Sequence, residues 1–247
     1  MDKTDRDIEN FTTYLKSGYF SDKPYSIASW EEQLFCFKNS VCKDKVDFGS
    51  TLHGYVYYEI IPILTVAKSI GMDCQVHFLG PEQNEKDGLL FHKSLDIKGQ
   101  GVQCVTVIDG KQEKLRIEKL EKYGLAKAGK VSSQSPENCA NIPPELRLRA
   151  SALDTPAHEH AFRHLLLETL QKKIDIRYKG LWLIVTLTNF GTLALQKHSL
   201  SIIKKIFHQL LDEEDLREKL GDIYDKVFLV DGHKDQIVES LVFTGRD

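Results

Sequence analysis

The sequence lacks the features that mark secreted and membrane proteins. Its five cysteines are an odd number and include no Cys-x-x-Cys pair, so neither a disulfide framework nor a zinc knuckle is expected. Residues 1–10 are polar and acidic, with no apolar stretch of the secretory-signal kind. The longest apolar runs, such as 181–187, are far too short to span a bilayer. We therefore expect a cytoplasmic protein with reduced thiols and no membrane partner.

The sequence also lacks the common catalytic and phosphate-binding motifs. It contains no GxxxxGK[ST] loop, no GxSxG turn and no HExxH helix, and the glycines around Gln100 do not extend to GxGxxG. An excess of positive charge is missing too, because the formal net charge is −3. Any nucleic-acid binding must therefore depend on a local basic patch rather than on the field of the whole chain.

What the sequence does contain is the pattern of an α/β fold. Hydrophobic residues make up 41% and charged residues 28% of the 247 residues, which is enough to bury a sizeable core. Apolar periodicity predicts helices that alternate with an apparent hairpin and a buried strand, so we expect a mixed central sheet flanked by helices. The predicted strands are 74–79, 88–98, 102–108 and 181–187, and the main predicted helices are 29–38, 51–70, 157–178 and 198–219.

We expect one domain over residues 1–247, with a helical extension at 1–50 and a C-terminal helix and strands at 191–247. Residues 131–156 interrupt the pattern and hold four of the seven prolines. We interpret this stretch as a long Pro-rich loop. The central part of the fold is therefore expected within 51–190.

The most informative chemical pattern is acidic and surrounds the predicted hairpin. Asp87 opens the second strand, Asp96 and Lys98 close it, and Glu59 lies on the preceding helix. Carboxylates that hold Mg²⁺, with a lysine nearby, are a common arrangement for phosphodiester hydrolysis. In a regular strand Asp96 and Lys98 would share one face. The alternative is that an aspartate and a lysine beside a Gly-rich turn are ordinary hairpin residues.

A family resemblance follows from three stretches. Asp87 to Phe91, Val102 to Gly110 and the charged segment 115–120 resemble the PD-(D/E)XK nuclease superfamily, in particular its divergent bacterial members. The segment 171–185 resembles their later helix, Lys-rich turn and buried strand. The resemblance covers about 51–190 and implies a restriction-endonuclease-like αβββαβ core. It also implies dependence on Mg²⁺, with Mn²⁺ as a substitute, and DNA as the substrate.

The resemblance implies that Glu59 is the helical acid and Asp87 the metal-binding aspartate. In the same register Gln103 falls at the catalytic acid and Val105 at the lysine position. A glutamine offers a neutral oxygen, whereas Mg²⁺ prefers charged ones. Asp96 and Lys98 are the alternative pair, so the candidate metal ligands are Asp87, Asp96 and Gln103.

Two further clusters have a chemical and an ordinary interpretation. His158, His160 and His164, with Glu168, have metal-ligand character on a helix, or else they form a polar helix entrance. The basic residues are candidates for phosphate contact, or else they complement a helix C-terminus. These basic residues are Lys172, Lys173 and Arg177 in one cluster and Arg147 and Arg149 in the Pro-rich loop.

Two functions therefore remain open from the sequence. One is Mg²⁺-dependent hydrolysis of DNA by a nuclease with a degenerate acid position. The other is an inactive nuclease fold that binds nucleic acid or a protein, as a partner subunit or a homodimer, without cutting.

Overall fold

A computed structural model describes residues 24–41, 55–79, 86–107, 156–174, 179–187, 197–213, 215–232 and 235–243. The chain divides into two compact units. The first comprises Met1–Val105, Ile176–Thr186 and Asp222–Asp247, and the second comprises Thr106–Asp175 and Leu187–Gly221. The expectation of one domain over 1–247 stays a prediction.

The described residues form seven strands, five α-helices and one short π-helix. The strands are β1 (Tyr25–Ser26), β2 (Gln75–Phe78), β3 (Gly88–Phe91), β4 (Gln100–Val107), β5 (Leu181–Leu187), β6 (Tyr224–Asp231) and β7 (Gln236–Val242). The helices are α1 (Ile27–Val41), the π-helix (Val56–Ile60), α2 (Ile61–Ile70), α3 (Pro156–Gln171), α4 (Lys197–Glu213) and α5 (Leu216–Gly221).

The seven strands form one sheet in the order β1-β2-β3-β4-β5-β6-β7. Strands β1 to β4 pair antiparallel in succession, and β6 and β7 pair antiparallel at the other side. The starts of the middle strands lie together, because Gln100 Nε2 donates to Gly180 O at 2.8 Å and Gly180 N–H donates to Ile223 O at 2.9 Å. Strands β4, β5 and β6 therefore run in the same direction, and the sheet is mixed.

The first unit has its core between the sheet and the helices α1 and α2. Residues 61–67 are all buried, as expected for a helix that is apolar on nearly every side. Ser26 caps α1, since its Oγ accepts the N–H of Ser29 at 3.2 Å. Trp30 of α1 donates from Nε1 to Val76 O at 3.3 Å, and its ring meets Phe78 edge-on at 4.6 Å.

The second unit contains α3, α4 and α5, with α4 packed against both other helices. The buried residues of α4 recur every three to four positions, so the amphipathic pattern of the sequence explains the packing of this helix. The buried apolar residues of α4 are Ile203, Ile206, Phe207, Leu210 and Leu211.

The structure confirms the expected α/β class with a mixed sheet and helices. Strand β5 has the predicted bounds, and Pro62 lies in the first turn of α2, as its ring requires. The expected cover of the sheet by the helices of the second unit stays a prediction. Residues 1–23 of the expected helical extension, the charged segment 115–120 and the Pro-rich loop up to residue 155 lie outside the described residues.

Three predicted elements were too long. The predicted strand 88–98 ends at Phe91, the predicted helix 157–178 ends at Gln171, and the predicted helix 198–219 is two helices. Asp215 lies between those helices with φ 51°, a left-handed conformation that a continuous α-helix does not contain. The predicted hairpin turn at 99–101 is also shifted, because Gly99 ends a longer connection with φ 79° and Gly101 is already in β4.

Candidate functional site

Asp87 lies immediately before β3, where the pairing between β3 and β4 ends. Its backbone is fixed on both sides, because its N–H donates to Val102 O at 2.9 Å and its carbonyl accepts Leu79 N–H at 3.0 Å. Its carboxylate oxygen Oδ2 accepts the N–H of Cys104 at 2.5 Å. The Asp87 carboxylate thus accepts a backbone N–H of β4 where the carbonyl of a neighbouring strand would otherwise accept it, because β3 begins only at the next residue. A backbone N–H as donor favours the ionised form of a carboxyl group.

Gln103 lies on β4 and is 5% exposed. Its Oε1 accepts a hydrogen bond of 2.6 Å from the phenol of Tyr224, a fully buried residue at the start of β6. Burial raises the pKa of the Tyr224 phenol well above its ordinary value, and the negative charge of Asp87 raises it further. The phenol therefore stays a hydrogen-bond donor at neutral pH.

The backbone of Glu59 reaches the same region from the π-helix. The Ile61 N–H donates to Val56 O, a bond across five residues that defines the π turn. The Cys104 thiol lies 4.0 Å from Glu59 O. Short π-helical turns occur frequently at functional sites, because they displace side chains from the regular helical spacing.

The structure therefore brings together three of the five predicted site residues. Glu59, Asp87 and the Gln103–Cys104 segment come from three separate elements and meet at Cys104, whose N–H binds the Asp87 carboxylate and whose thiol lies near the backbone carbonyl of Glu59. We name this group of four residues, together with Tyr224, the Asp87–Tyr224 cluster.

Asp96 and Lys98 are not part of this cluster, because they lie on an exposed turn after β3. The Asp96 carboxylate accepts the N–H of Lys98 at 2.9 Å, and the Asp96 carbonyl accepts Gly99 N–H at 2.9 Å. The expectation that they share a strand face with one another was wrong. Asp87 precedes β3 and Asp96 follows it, so roughly 13 Å of strand lie between the two ends.

A lysine that the sequence analysis did not select lies beside the cluster. A Cβ atom placed on Gly101 would be 3.0 Å from Lys86 Cδ and 2.7 Å from Leu181 Cδ2. The stem of Lys86 therefore crosses β4 at Gly101, two residues before Gln103. Position 105, where the resemblance implies a lysine, holds a half-buried valine.

The fit of Mg²⁺ can be judged from the donor groups. Asp87 supplies a charged oxygen, but Gln103 supplies a neutral one that already accepts the Tyr224 phenol. Within the described ranges, no three His, Cys, Asp or Glu side chains gather as a metal site. Asp87 and Gln103 therefore do not fit Mg²⁺ well, because this ion prefers charged oxygen ligands in octahedral geometry.

The predicted phosphate-contact residues fit their ordinary interpretation where they are described. Lys172 and Lys173 follow α3, and their N–H groups donate to Glu168 O and Leu170 O. Cations at this position complement the dipole of the helix. Arg147, Arg149 and Arg177 lie outside the described residues.

The histidine cluster on α3 forms a surface pair. His164 Nε2 and Glu168 Oε1 are 3.2 Å apart, and both side chains are about half exposed or more. His160 is exposed, and the side chain of His158 lies outside the described set. A surface pair at this spacing contributes little to stability.

Sequence reasoning missed Tyr224 and Lys86 as members of the region. Tyr224 lies 121 residues from its partner Gln103, and no local pattern connects the two positions. Lys86 precedes Asp87 directly, so its proximity to the candidate acid was the one signal available in the sequence.

Comparison with known proteins adds no assignment: no protein-family model, no curated protein and no solved structure matches this chain. None of the described helices is both long enough and apolar enough to cross a membrane.

Proposed function

We propose that this chain is a nuclease-like protein that has lost metal-dependent cleavage and acts as a binding module. The order of the described elements supports a restriction-endonuclease-like core. Among the described residues, helix α2, strands β2, β3 and β4, helix α3 and strand β5 come in the chain order α-β-β-β-α-β, with residues 108–155 outside the described ranges. Asp87 directly before β3 and Gln103 on β4 are consistent with the PD-(D/E)XK resemblance.

The hydrogen bond between Gln103 and Tyr224 carries the proposal. The buried amide oxygen of Gln103 accepts a hydrogen bond from the buried phenol of Tyr224, so both polar groups have a partner inside the protein. To serve a metal ion, this oxygen would have to offer its second lone pair beside the phenol, at a position that is only 5% exposed. The contact suits a structural role for position 103 better than a catalytic one.

The competing function is Mg²⁺- or Mn²⁺-dependent hydrolysis of DNA. The approach of the Asp87 carboxylate and the Glu59 backbone to β4 at Cys104 favours it, since a nuclease site needs acidic residues from separate elements at one place. The neutral Gln103 and the valine at position 105 weigh against it.

The described surfaces favour a protein partner over nucleic acid. The formal net charge is −3, and the described lysines after α3 stand at a helix C-terminus. Nucleic-acid binding depends mainly on neutralising phosphates with lysine and arginine. Binding of DNA through the basic residues at 172–177 and 147–149 is the alternative.

A nicking assay tests the proposal. We expect the full chain to leave supercoiled plasmid intact with Mg²⁺ or Mn²⁺, and we expect no protein-bound Mn²⁺ signal by electron paramagnetic resonance. Q103E restores a carboxylate beside Asp87 and should create weak Mn²⁺ binding, because two negative oxygens would then be adjacent. Y224F is the control for the hydrogen bond, since it removes the phenol donor without adding charge, and it should bind no Mn²⁺.

Nicking by the unaltered chain that disappears in D87N would overturn the proposal and establish the hydrolase. Nicking that persists in D87N prepared in parallel would come from a contaminating nuclease or from a site elsewhere in the chain, and a second purification step separates these two sources.

A further inference from the structure

A cleft lies in the first unit between α1 and α2, and none of the residues of the Asp87–Tyr224 cluster lines it. Its volume is about 430 Å³, which is within the range of sites that bind ligands or side chains of a partner. The floor is apolar and belongs to the core, with Leu34, Ile61 and Leu64 all under 10% exposed. Phe35 also lines the cleft, and 69% of its surface is exposed.

The rim of this cleft is acidic. Glu31, Glu32 and Asp235 line it together with one lysine, Lys68. The Lys68 ammonium forms an ion pair with Glu31 across the two helices. Three carboxylates and one ammonium give the lining a formal charge of −2 at neutral pH.

We propose that this cleft docks a short basic, apolar segment of a partner protein. A large apolar side chain of the partner would cover Phe35 and rest on the floor formed by Leu34 and Leu64. A lysine or arginine beside it would face Glu32 and Asp235. This proposal rests on the proposed binding function and names its partner class.

Charge complementarity selects this occupant over the others. An acidic rim repels the phosphates of a nucleic acid and attracts a cation. A groove between two helices with an apolar floor is also a common receptor for an amphipathic helix, which inserts side chains spaced three and four residues apart. An exposed phenylalanine beside such a floor supplies the aromatic anchor that interfaces favour.

A titration with matched peptides tests the proposal on the full chain. The probe is a fluorescein-labelled amphipathic peptide with leucines on one face and lysines on the other, and its control carries glutamates in place of the lysines. We expect the basic peptide to bind, as measured by fluorescence anisotropy, and the acidic peptide to bind much more weakly. Binding should weaken as the salt concentration rises, because charge attraction contributes to it.

Three variants locate the binding. Glu32 and Asp235 are exposed, so E32K/D235K changes no core contact, and circular dichroism checks that lysine is accepted at position 235, where φ is 48°. This double reversal should weaken the binding of the basic peptide about tenfold, because two attractions become repulsions. F35S should also weaken binding by removing the aromatic anchor. E218K/D222K makes the same change of charge at exposed positions elsewhere, and we expect binding close to that of the unaltered chain.

Equal weakening by E32K/D235K and E218K/D222K would overturn the proposal, since the binding would then follow net charge alone. Equal affinity for the acidic peptide would overturn it as well. If phenethylammonium binds as tightly as the peptide, the cleft takes a small organic cation and the assignment to a protein segment is wrong. These outcomes do not depend on plasmid nicking, so a failed docking site and a failed binding function remain distinguishable.

Discussion

The pair formed by Gln103 and Tyr224 illustrates how a buried polar contact is stabilised by its two partners together. Each side chain is almost without access to water, and the amide oxygen and the phenol are 2.6 Å apart. The net contribution of such a bond is modest, but a buried partner left alone bears the full cost of its lost hydration. Removal of one polar group should therefore lower the free energy of unfolding more than removal of both polar groups.

Y224F should lower the free energy of unfolding by about 1–2 kcal/mol, since it leaves the Gln103 oxygen without this donor. In a Q103L background the same substitution should cost about 1 kcal/mol less, because no acceptor remains to be stranded. Urea unfolding of the four proteins measures this difference. Equal costs in both backgrounds would show that the hydrogen bond contributes no coupling.

The raised pKa of Tyr224 gives the contact a dependence on pH. The unfolded chain loses the phenolic proton near the ordinary value of about 10, whereas the folded chain retains it to higher pH. The stability contributed by this group is therefore present below pH 10 and is lost as the pH rises above that value. The difference in unfolding free energy between the unaltered chain and Y224F should shrink over this range, and urea midpoints measured from neutral to alkaline pH test it.

At the scale of the elements, the approach of β4 to β5 depends on the absence of a side chain at Gly101. A Cβ there would lie 2.7 Å from the Cδ2 of the buried Leu181 and 3.0–3.1 Å from the Lys86 stem. Lysine can move, but a leucine between two strands has little room. G101A should therefore destabilise the first unit by about 1–3 kcal/mol through overpacking.

Thermal unfolding of G101A, L181A and the double variant tests this packing. The costs should not add, because L181A removes the atom that the new methyl group meets. K86A is the control for the flexible Lys86 side chain, and we expect G101A to lose nearly as much stability in this background as in the unaltered chain. Additive costs would indicate that β4 and β5 adjust their separation instead.

The elements that sequence reasoning predicted well are those fixed by local pattern. The apolar run at 181–187 and the helical spacing in α4 each depend on neighbours within a few residues. The strand was predicted to extend to residue 98 because Leu95 and Ile97 continue the alternating apolar pattern. In the structure the Asp96 carboxylate instead accepts the Lys98 N–H in a turn after β3. His92 also leaves the strand, since its ring binds Asp73 and Ser94 at 2.9 and 2.6 Å.

The candidate site was predictable only in part, for a physical reason. Asp87 and Gln103 are close in sequence and lie where one strand ends and the next continues, so a pattern of two strands is enough to bring them together. The contact with Tyr224 depends on the order β4-β5-β6 in the sheet. That order is set by long-range packing, which no spacing along the chain encodes.

At the scale of the whole molecule, burial determines how the thiols react. Cys74 and Cys104 are buried and carry reduced thiols. Burial raises the pKa of Cys74 to about 11, an effect that a hydrogen bond at Phe91 opposes and the charge of Asp73 increases. The reactive thiolate form is therefore scarce at neutral pH in the folded chain.

Iodoacetamide should modify Cys74 and Cys104 slowly in the native protein, and it should modify all five cysteines in urea without a reductant. Peptide mass spectrometry identifies the modified positions. Recovery of further reactive thiols only after reduction would reveal a disulfide and contradict the expectation of a reduced protein.

The π-helix at Val56–Ile60 also constrains how this chain tolerates insertions and deletions. Its hydrogen bond from Ile61 N–H to Val56 O encloses one residue more than an α-helical turn does. Loss of one residue here would restore a regular helix and rotate everything before it by about 100° relative to α2. Tyr55, whose hydroxyl donates to Leu79 O at 2.9 Å, would turn away from its acceptor. The length of this turn is therefore fixed by the sheet that it faces, although the turn itself is short and lies outside the strands.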